Sequence, residues 1–404
     1  MEDWRILDET YLMSTYKRLP IAIEKGEGNY LYDTEGNSYL DLFTGLAVNI
    51  LGHSHPAIIK ALREQGEKFL HISNIFLNQP AIKLARRLVE HSIPGKVFFG
   101  NSGAEATEAA IKLIHKWTTR NQNGKEGIVV LKNSFHGRTL GALRLTRQAH
   151  VYQDFPQPAF PVYEIEAGDV EQLRRVCQEN SPAAVLMEPV LGSGGVIPLE
   201  ESYLEQVADI CKQHGMLLCM DEIQTGIGRT GKLFAYQHTT VQPDIILFAK
   251  GVGGGLPLGG VIAGEKVKAL FSPGDHGTTF APSPLSAALG NAVLDQILDE
   301  GFMREARETS GYLREKLEDL VQKDPSIYKE VRGKGMMLGL VMNLPADQVS
   351  LLQKELLSKG VLVDVTQKTI VRLLPPLTLT KPEVNQFMEA FTQAVAKCTP
   401  LKGA

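Results

Sequence analysis

Cysteine is scarce and unpatterned in this chain. Cys177, Cys211, Cys219 and Cys398 show no CxxC spacing and accompany no paired-histidine motif. Reduced, buried thiols are therefore the expectation, with no disulfide framework and no metal site. A basic excess is missing as well: the net charge is −4, which argues against nucleic acid or a membrane surface as a partner. No apolar stretch approaches the length of a membrane span. Met1-Glu2-Asp3-Trp4-Arg5 is acidic and leads into no apolar core with a cleavage site. A secretory leader is thus not expected, and the chain reads as cytoplasmic. Internal repeats, low-complexity tracts and disordered linkers are also absent.

What remains is ordinary globular material. With 404 residues, 43% of them hydrophobic, the chain can bury a large core, arranged as two or three domains or one large domain with an accessory layer. Short apolar runs at 96–99, 128–132, 183–187, 217–220, 245–249 and 260–263 predict buried strands. Their character is nearly continuous rather than alternating, which is what a sheet covered on both faces requires. Between them, 104–120, 170–179 and 202–214 predict helices, the last stopped by Gly215. Strand and helix in alternation give an α/β class with a mostly parallel sheet. After about residue 300 the texture changes. A charged helix over 313–321, the segment 336–342, a helix over 348–358 and a strand over 369–374 predict a smaller α+β unit. The first fifty residues, with Gly26, Gly28 and Asp33-Thr34-Glu35-Gly36 as turn signals, predict an arm and hairpin.

Three short segments carry chemistry. Lys250 ends the run Ile245-Ile246-Leu247-Phe248-Ala249 and is followed by Gly251, Gly253, Gly254 and Gly255. Taken alone it would be a solvated boundary lysine. Burial would instead lower its pKa toward a nucleophilic amine, and the glycines let a bulky group approach the backbone. Asp221, with Glu222, ends a second buried run. Phe98-Phe99-Gly100-Asn101-Ser102-Gly103-Ala104-Glu105 is a small-residue loop opening a helix, which suits a phosphate. A serine N-cap would explain that loop alone; its place directly after a buried strand favours a ligand. A lysine for a Schiff base, an acid for a ring nitrogen and a phosphate cradle together point to pyridoxal phosphate (PLP) chemistry. The rival, a nicotinamide-dependent dehydrogenase, would explain the α/β texture but leaves Lys250 and Asp221 without a task. Its GxGxxG spacing also fails in the glycine run after Lys250.

With Phe135-His136-Gly137-Arg138-Thr139, Glu188-Pro189, Asp221-Glu222-Ile223-Gln224-Thr225-Gly226, Arg229-Thr230-Gly231 and the Lys250 strand in fixed order, the chain resembles class III PLP aminotransferases. The similarity runs from Tyr16 to Arg372. Tyr11 to Pro20 and Leu46 to His53 resemble the acetylornithine aminotransferase group and its N-acyl-lysine relatives. That resemblance implies PLP fold type I: a large domain with a mostly parallel sheet of the seven-stranded type covered by helices, and a smaller α+β domain. It divides the chain into an N-terminal arm with part of the small domain (1–55), the PLP-binding domain (56–300) and the C-terminal small domain (301–404).

The resemblance also implies roles. Lys250 binds PLP and moves the proton at the substrate carbon, and Asp221 pairs with the pyridine nitrogen. Gln224 sits near the ring hydroxyl, Phe135 stacks on the ring, and Glu188 belongs to the cofactor site. Ser102, Gly103 and Ala104 hold the phosphate, joined by Thr279 from a neighbouring subunit of a homodimer with shared sites. Arg138 and Arg372 bind substrate carboxylates, and Tyr16 closes the entrance. Leu46, where ornithine δ-aminotransferases carry a tyrosine, fits a substrate whose α-amine is acylated. Two segments depart from the family pattern. Ser193 stands where relatives carry a glutamate that covers the arginine matching Arg372, so Arg372 is expected to stay available whichever substrate is bound. Phe280-Ala281-Pro282-Ser283-Pro284 replaces the usual Phe/Tyr-Gly-Gly-Asn-Pro. The implied reaction passes the terminal amine of an N-acylated diamino acid, N-acetylornithine first, to 2-oxoglutarate by ping-pong chemistry, a step of arginine biosynthesis. Alternatives are another ω-amine donor (4-aminobutyrate, a lysine-type donor or a diamine), a same-fold aminomutase or racemase, and a non-catalytic PLP-binding protein.

Overall fold

The computed structural model describes residues 3–121 and 124–399. Its centre is a seven-stranded sheet in the order Gly95–Gly100, Gly259–Gly264, Ile245–Phe248, Leu217–Asp221, Ala184–Met187, Ile128–Leu131 and Val162–Ile165. Gly259–Gly264 runs antiparallel to both neighbours, and the remaining pairs are parallel. The continuous apolar runs exist because both faces are covered. Val129, Leu131, Val185, Met187, Leu218 and Met220 enter one core, while Ile128, Val130, Ala184, Leu186, Leu217 and Cys219 enter the other. Successive side chains of a strand point to opposite faces, so only an apolar residue at every position fills both cores.

The expected helices form as Gly103–Asn121, Val170–Asn180 and Glu201–Gln213. Asp169 caps the second by accepting from Gln172 N, an N-cap contact that satisfies one free N–H of the first turn. The seventh strand, Val162–Ile165, is absent from the predicted set. It is an edge strand of four residues with Glu164 exposed, so it lacks the apolar continuity that marks the others.

The N-terminal segment forms the hairpin Ile23–Glu27 and Tyr30–Asp33, extended by Ser38–Asp41. Ser38–Asp41 pairs in parallel with Val361–Leu362, so the start of the chain is built into a sheet with its last hundred residues. The late α+β unit is an antiparallel sheet in the order Tyr328–Lys334, Met337–Met342, Ile370–Leu373, Asp364–Thr366. Its helices are longer or more numerous than predicted. The segment 313–321 lies inside Glu300–Lys323, and Lys381–Cys398 ends the described chain. Thr380 and Glu383 form a reciprocal capping box with Pro382 in the first turn, a start signal present in the sequence. Among the described residues, no helix is long and apolar enough to cross a membrane.

Candidate active site

The carboxyl ends of the parallel strands converge on one cavity of about 520 Å³, a size ordinary for a small-molecule site. Ser102, Gly103, Ala104, Phe135, Arg138, Glu188, Ser193, Asp221, Gln224 and Lys250 all line it. Residues from five sequence-distant segments thus meet because each follows a strand end, the place where open α/β sheets bind ligands.

Lys250 opens a short 3₁₀ turn, Lys250–Gly253, with a positive φ of 51°. Gly254 follows in the left-handed region, which a Cβ would oppose. The lysine pKa is lowered from 10.5 to about 8. Burial is the largest cause and the charge of Arg372 the second, while Asp221 and Glu188 pull the other way. An amine of pKa about 8 is roughly a tenth free base at neutral pH, on the order of hundreds of times more than an ordinary lysine, which favours the nucleophile that Schiff-base formation needs.

Asp221 is buried at the end of its strand. Its Oδ2 lies 2.6 Å from His136 Nδ1, and its Oδ1 accepts from Ile223 N at 3.1 Å. The carboxylate is thus fixed in direction. His136 is fully buried and is itself anchored: Thr107 Oγ1 donates to its carbonyl and its N–H donates to Thr146 Oγ1. Its role was missed by sequence reasoning, although the Phe135-His136-Gly137 motif contains it. Glu188 is held as a carboxylate acceptor, taking Phe135 N at 2.9 Å and Gly192 N at 3.1 Å. Burial nevertheless raises its pKa. The other acid of the predicted pair, Glu222, faces away from the cavity. It accepts from Thr225 Oγ1, Ala235 N and Tyr236 N, and burial pushes its pKa up to about 7. Its task is to pin the Ala235–His238 turn.

The phosphate cradle has a local cause. Gly103 and Ala104 occupy the first turn of the Gly103–Asn121 helix, where backbone N–H groups lack intrahelical acceptors. Ser102 Oγ accepts from Glu105 N, while Glu105 Oε2 accepts from Asn101 N. Gly137 closes the other side at φ +134°, and a Cβ there would sit 3.1 Å from Ala104 Cα. Phe135 forms part of the wall, with the Arg138 guanidinium 5.7 Å from its ring centroid.

The remaining predicted residues lie elsewhere. Tyr16 is 73% exposed and Thr279 is exposed; neither lines the cavity. Leu46 is also off the wall, which Val48 joins instead. Arg372 is buried behind the cavity, close enough for its charge to act on Lys250. The expectation that Ser193 leaves Arg372 uncovered is corrected. Asp364 Oδ2 lies 2.8 Å from Arg372 Nε and 2.6 Å from Nη2. Arg229, quoted only as part of a motif, is fully buried and ties the segment after Leu217–Asp221 to the late α+β unit: its Nη1 donates to the carbonyls of Met336 and Pro375. Desolvation lowers its pKa to about 9.

The geometry fits PLP on three independent counts. A depressed lysine faces a fixed acid across one cavity, and a helix N-terminus bounded by glycine offers donors for a phosphate.

Comparison with known proteins agrees with that arrangement. The sequence model of the family described as Aminotransferase class-III matches residues 11–395. An acetylornithine aminotransferase of Caldanaerobacter subterraneus subsp. tengcongensis is 42% identical over 391 residues, covering 96% of this chain and 98% of the relative. The crystal structure of N-acetylornithine aminotransferase from Stenotrophomonas maltophilia K279a superposes with a TM-score of 0.83 at 32% identity, covering 97% of this chain and 98% of the other. An ornithine aminotransferase from Toxoplasma gondii, whose structure has PLP at partial occupancy in the active site, superposes with a TM-score of 0.91 at 29% identity, covering 98% of this chain and 94% of the other.

Proposed function

The chain belongs to the class-III aminotransferases, and from that premise we propose that it transfers the terminal amine of N-acetylornithine to 2-oxoglutarate. The observation that carries this reading is the depressed amine of Lys250 facing Asp221 across one cavity. Relatives named acetylornithine aminotransferase over nearly the whole chain support the choice of donor. PLP supplies, when bound, an aldehyde for the substrate amine and a ring that accepts the electron pair released at the substrate carbon.

The chain's own groups do the rest. With PLP bound, the Lys250 amine would hold the cofactor and would carry the proton at the substrate carbon that bears the amine. Asp221, fixed in direction by His136 and the Ile223 N–H, would pair with the pyridine nitrogen. The Ser102 hydroxyl and the Gly103 and Ala104 N–H groups would hold the phosphate, Phe135 would pack on the ring and Gln224 would serve its hydroxyl, all of them cavity-lining residues. Glu188 orients the Phe135 and Gly192 backbone beside the cavity. Arg138 and Ser193, on the cavity wall, and Arg372, buried behind it, would receive the substrates, the two arginines taking their carboxylates. Proton transfer by a positioned amine is worth roughly 10² to 10⁴ in rate, so the pKa of Lys250 is part of the catalytic power.

The site is completed by a second copy of the chain, with Thr279 reaching the partner's phosphate and Tyr16 closing the entrance, and the enzyme works in the cytoplasm. The exposure of Tyr16, Ile75, Phe76, Leu77 and Phe280 in the single chain supports such a dimer. A complementation assay tests it. Lys250→Ala and Thr279→Val, each impaired alone, should regain up to half-site activity when co-expressed, because one of the two sites of the mixed dimer is then intact. No regain would place Thr279 in its own chain's site. For the reaction itself, single-turnover absorbance with N-acetylornithine, 4-aminobutyrate and putrescine as donors is decisive. N-acetylornithine should have the highest kcat/KM, and a higher value for either rival would remove the proposed substrate.

A further inference from the structure

Asp364 and Arg372 are direct partners in the antiparallel ladder between Asp364–Thr366 and Ile370–Leu373, with Val365 opposite Val371 and Thr366 opposite Ile370. Their ion pair is therefore set by strand register. Residues opposite one another in a ladder stay within side-chain reach whatever the flanking loop does. The pairing is one-sided. A single carboxylate oxygen, Asp364 Oδ2, meets Nε and Nη2 of the guanidinium, whereas Arg372 Nη1 is buried without a hydrogen-bond partner among the described residues. A guanidinium offers five N–H donors in a planar fork, so this one retains capacity for a second carboxylate. The turn of the same hairpin is tied to the cavity wall: Thr366 Oγ1 and Gln367 Nε2 both donate to the Ser193 carbonyl, at 3.1 and 2.8 Å. Ser193 brings no charge of its own.

We propose that Asp364 is a fixed counter-charge that sets donor preference by competing with the substrate carboxylate for Arg372. This rests on the transaminase reading above and assigns its discriminating residue. A dicarboxylate such as glutamate or 2-oxoglutarate brings a carboxylate to Arg372 and must share the guanidinium with Asp364. An acylated ω-amine donor leaves Arg372 satisfied by Asp364 alone. Because the opposing strand holds Asp364 in place, the competition is constant, and Asp364 is a positioning residue that acts through Arg372. No covalent step is altered.

The test uses the holoenzyme and two readouts. Asp364→Asn keeps the shape and removes the charge. It should tighten binding of glutarate, an unreactive dicarboxylate, by roughly tenfold in calorimetry, the scale of one partly exposed charged hydrogen bond. It should also raise the ratio of half-reaction kcat/KM for glutamate over N-acetylornithine by about the same factor. Adding Ser193→Glu to Asp364→Asn should reverse both changes. Asp364→Glu, which keeps the charge and is the second variant if Asp364→Asn does not fold, should hold both quantities within about threefold of the wild type. Unchanged or weakened glutarate binding in Asp364→Asn would overturn the proposal, since a residue that only orients Arg372 gives that result. A tenfold shift in Asp364→Glu would overturn it too. If the wild type fails to turn over N-acetylornithine while glutarate binding still responds to Asp364→Asn, the substrate reading falls and the counter-charge stands.

Discussion

Replacing Lys250 with methionine in the cofactor-free protein should make stability respond to pH differently, and the size of the effect follows from the cavity. The amine is depressed from 10.5 to about 8, first by burial and then by the charge of Arg372. Between those two values the unfolded chain holds the Lys250 proton and the folded chain does not. Unfolding then takes up a proton, so folded stability rises with pH across the window from 8 to 10.5. The gap is 2.5 pH units (10.5 − 8); at 1.36 kcal/mol per unit, the destabilisation below pH 8 is about 3 kcal/mol. Methionine keeps an unbranched side chain of similar reach and carries no charge, so Lys250→Met relieves this cost. Urea unfolding of both proteins at fixed concentration, at steps from pH 7 to 10.5, measures it, because other titrating groups cancel in the difference. The stability advantage of Lys250→Met should be about 3 kcal/mol larger at pH 7 than at pH 10.5. A difference that stays flat across this range would mean that the lysine is not buried as an ion, and the argument for a pre-activated amine would fail.

The parts of the site that were legible in the sequence are those fixed by single strands. Asp221 and Lys250 end runs in which every residue is buried, Leu217–Asp221 and Ile245–Phe248; a charge that closes such a run is conspicuous. Ser102 to Ala104 was legible for the same reason, since a buried strand ending in small residues before a helix leaves few alternatives. Hidden features depend on register between segments. Asp364 closes the apolar run Val361-Leu362-Val363, but nothing local ties it to Arg372 until the hairpin places them opposite one another. His136 looks like a loop residue in sequence, yet the Ile128–Leu131 strand and the first turns of the long helix bring it to Asp221 from 85 positions away. The Lys381–Cys398 helix was missed for another cause. Its Thr380-Lys381-Pro382-Glu383 start signal is clear, but the segment follows two prolines and a short turn that draw attention to a chain ending. Arg229 shows the limit from the opposite side, because a motif arginine beside active-site residues turns out to be a structural tie between units.

Other outcomes follow from the same geometry. Lys250→Ala should abolish transamination and the visible absorbance of the bound cofactor while circular dichroism is retained; turnover at a comparable rate would remove Lys250 from the chemistry. Asp221→Asn should keep part of the cofactor and lose kcat/KM on the order of a hundredfold, about 3 kcal/mol, the scale of removing one partner of a buried charge pair. Arg229→Lys should lower stability by about 2 kcal/mol in urea unfolding, because the fully buried guanidinium packs in a fixed plane that brings Nη1 to both carbonyls, and a flexible ammonium reproduces neither the packing nor that placement. The last concerns Gly137, which a Cβ would bring to 2.8 Å from Ala142 Cβ and 3.1 Å from Ala104 Cα at φ +134°. Neither neighbour is a flexible side-chain tip, so relief must come from the backbone at the helix N-terminus where the phosphate is expected. Gly137→Ala should therefore raise the PLP dissociation constant at least roughly tenfold, consistent with 1–3 kcal/mol of stored strain. Gly168→Ala is the control, since Gly168 also has a positive φ, +88°, but nothing stands within 4 Å of its Cβ position. It should lose stability and leave PLP affinity alone. Equal PLP affinity in the Gly137 variant would show that the first helical turn does not carry the phosphate, and the cradle would have to be sought elsewhere in the cavity.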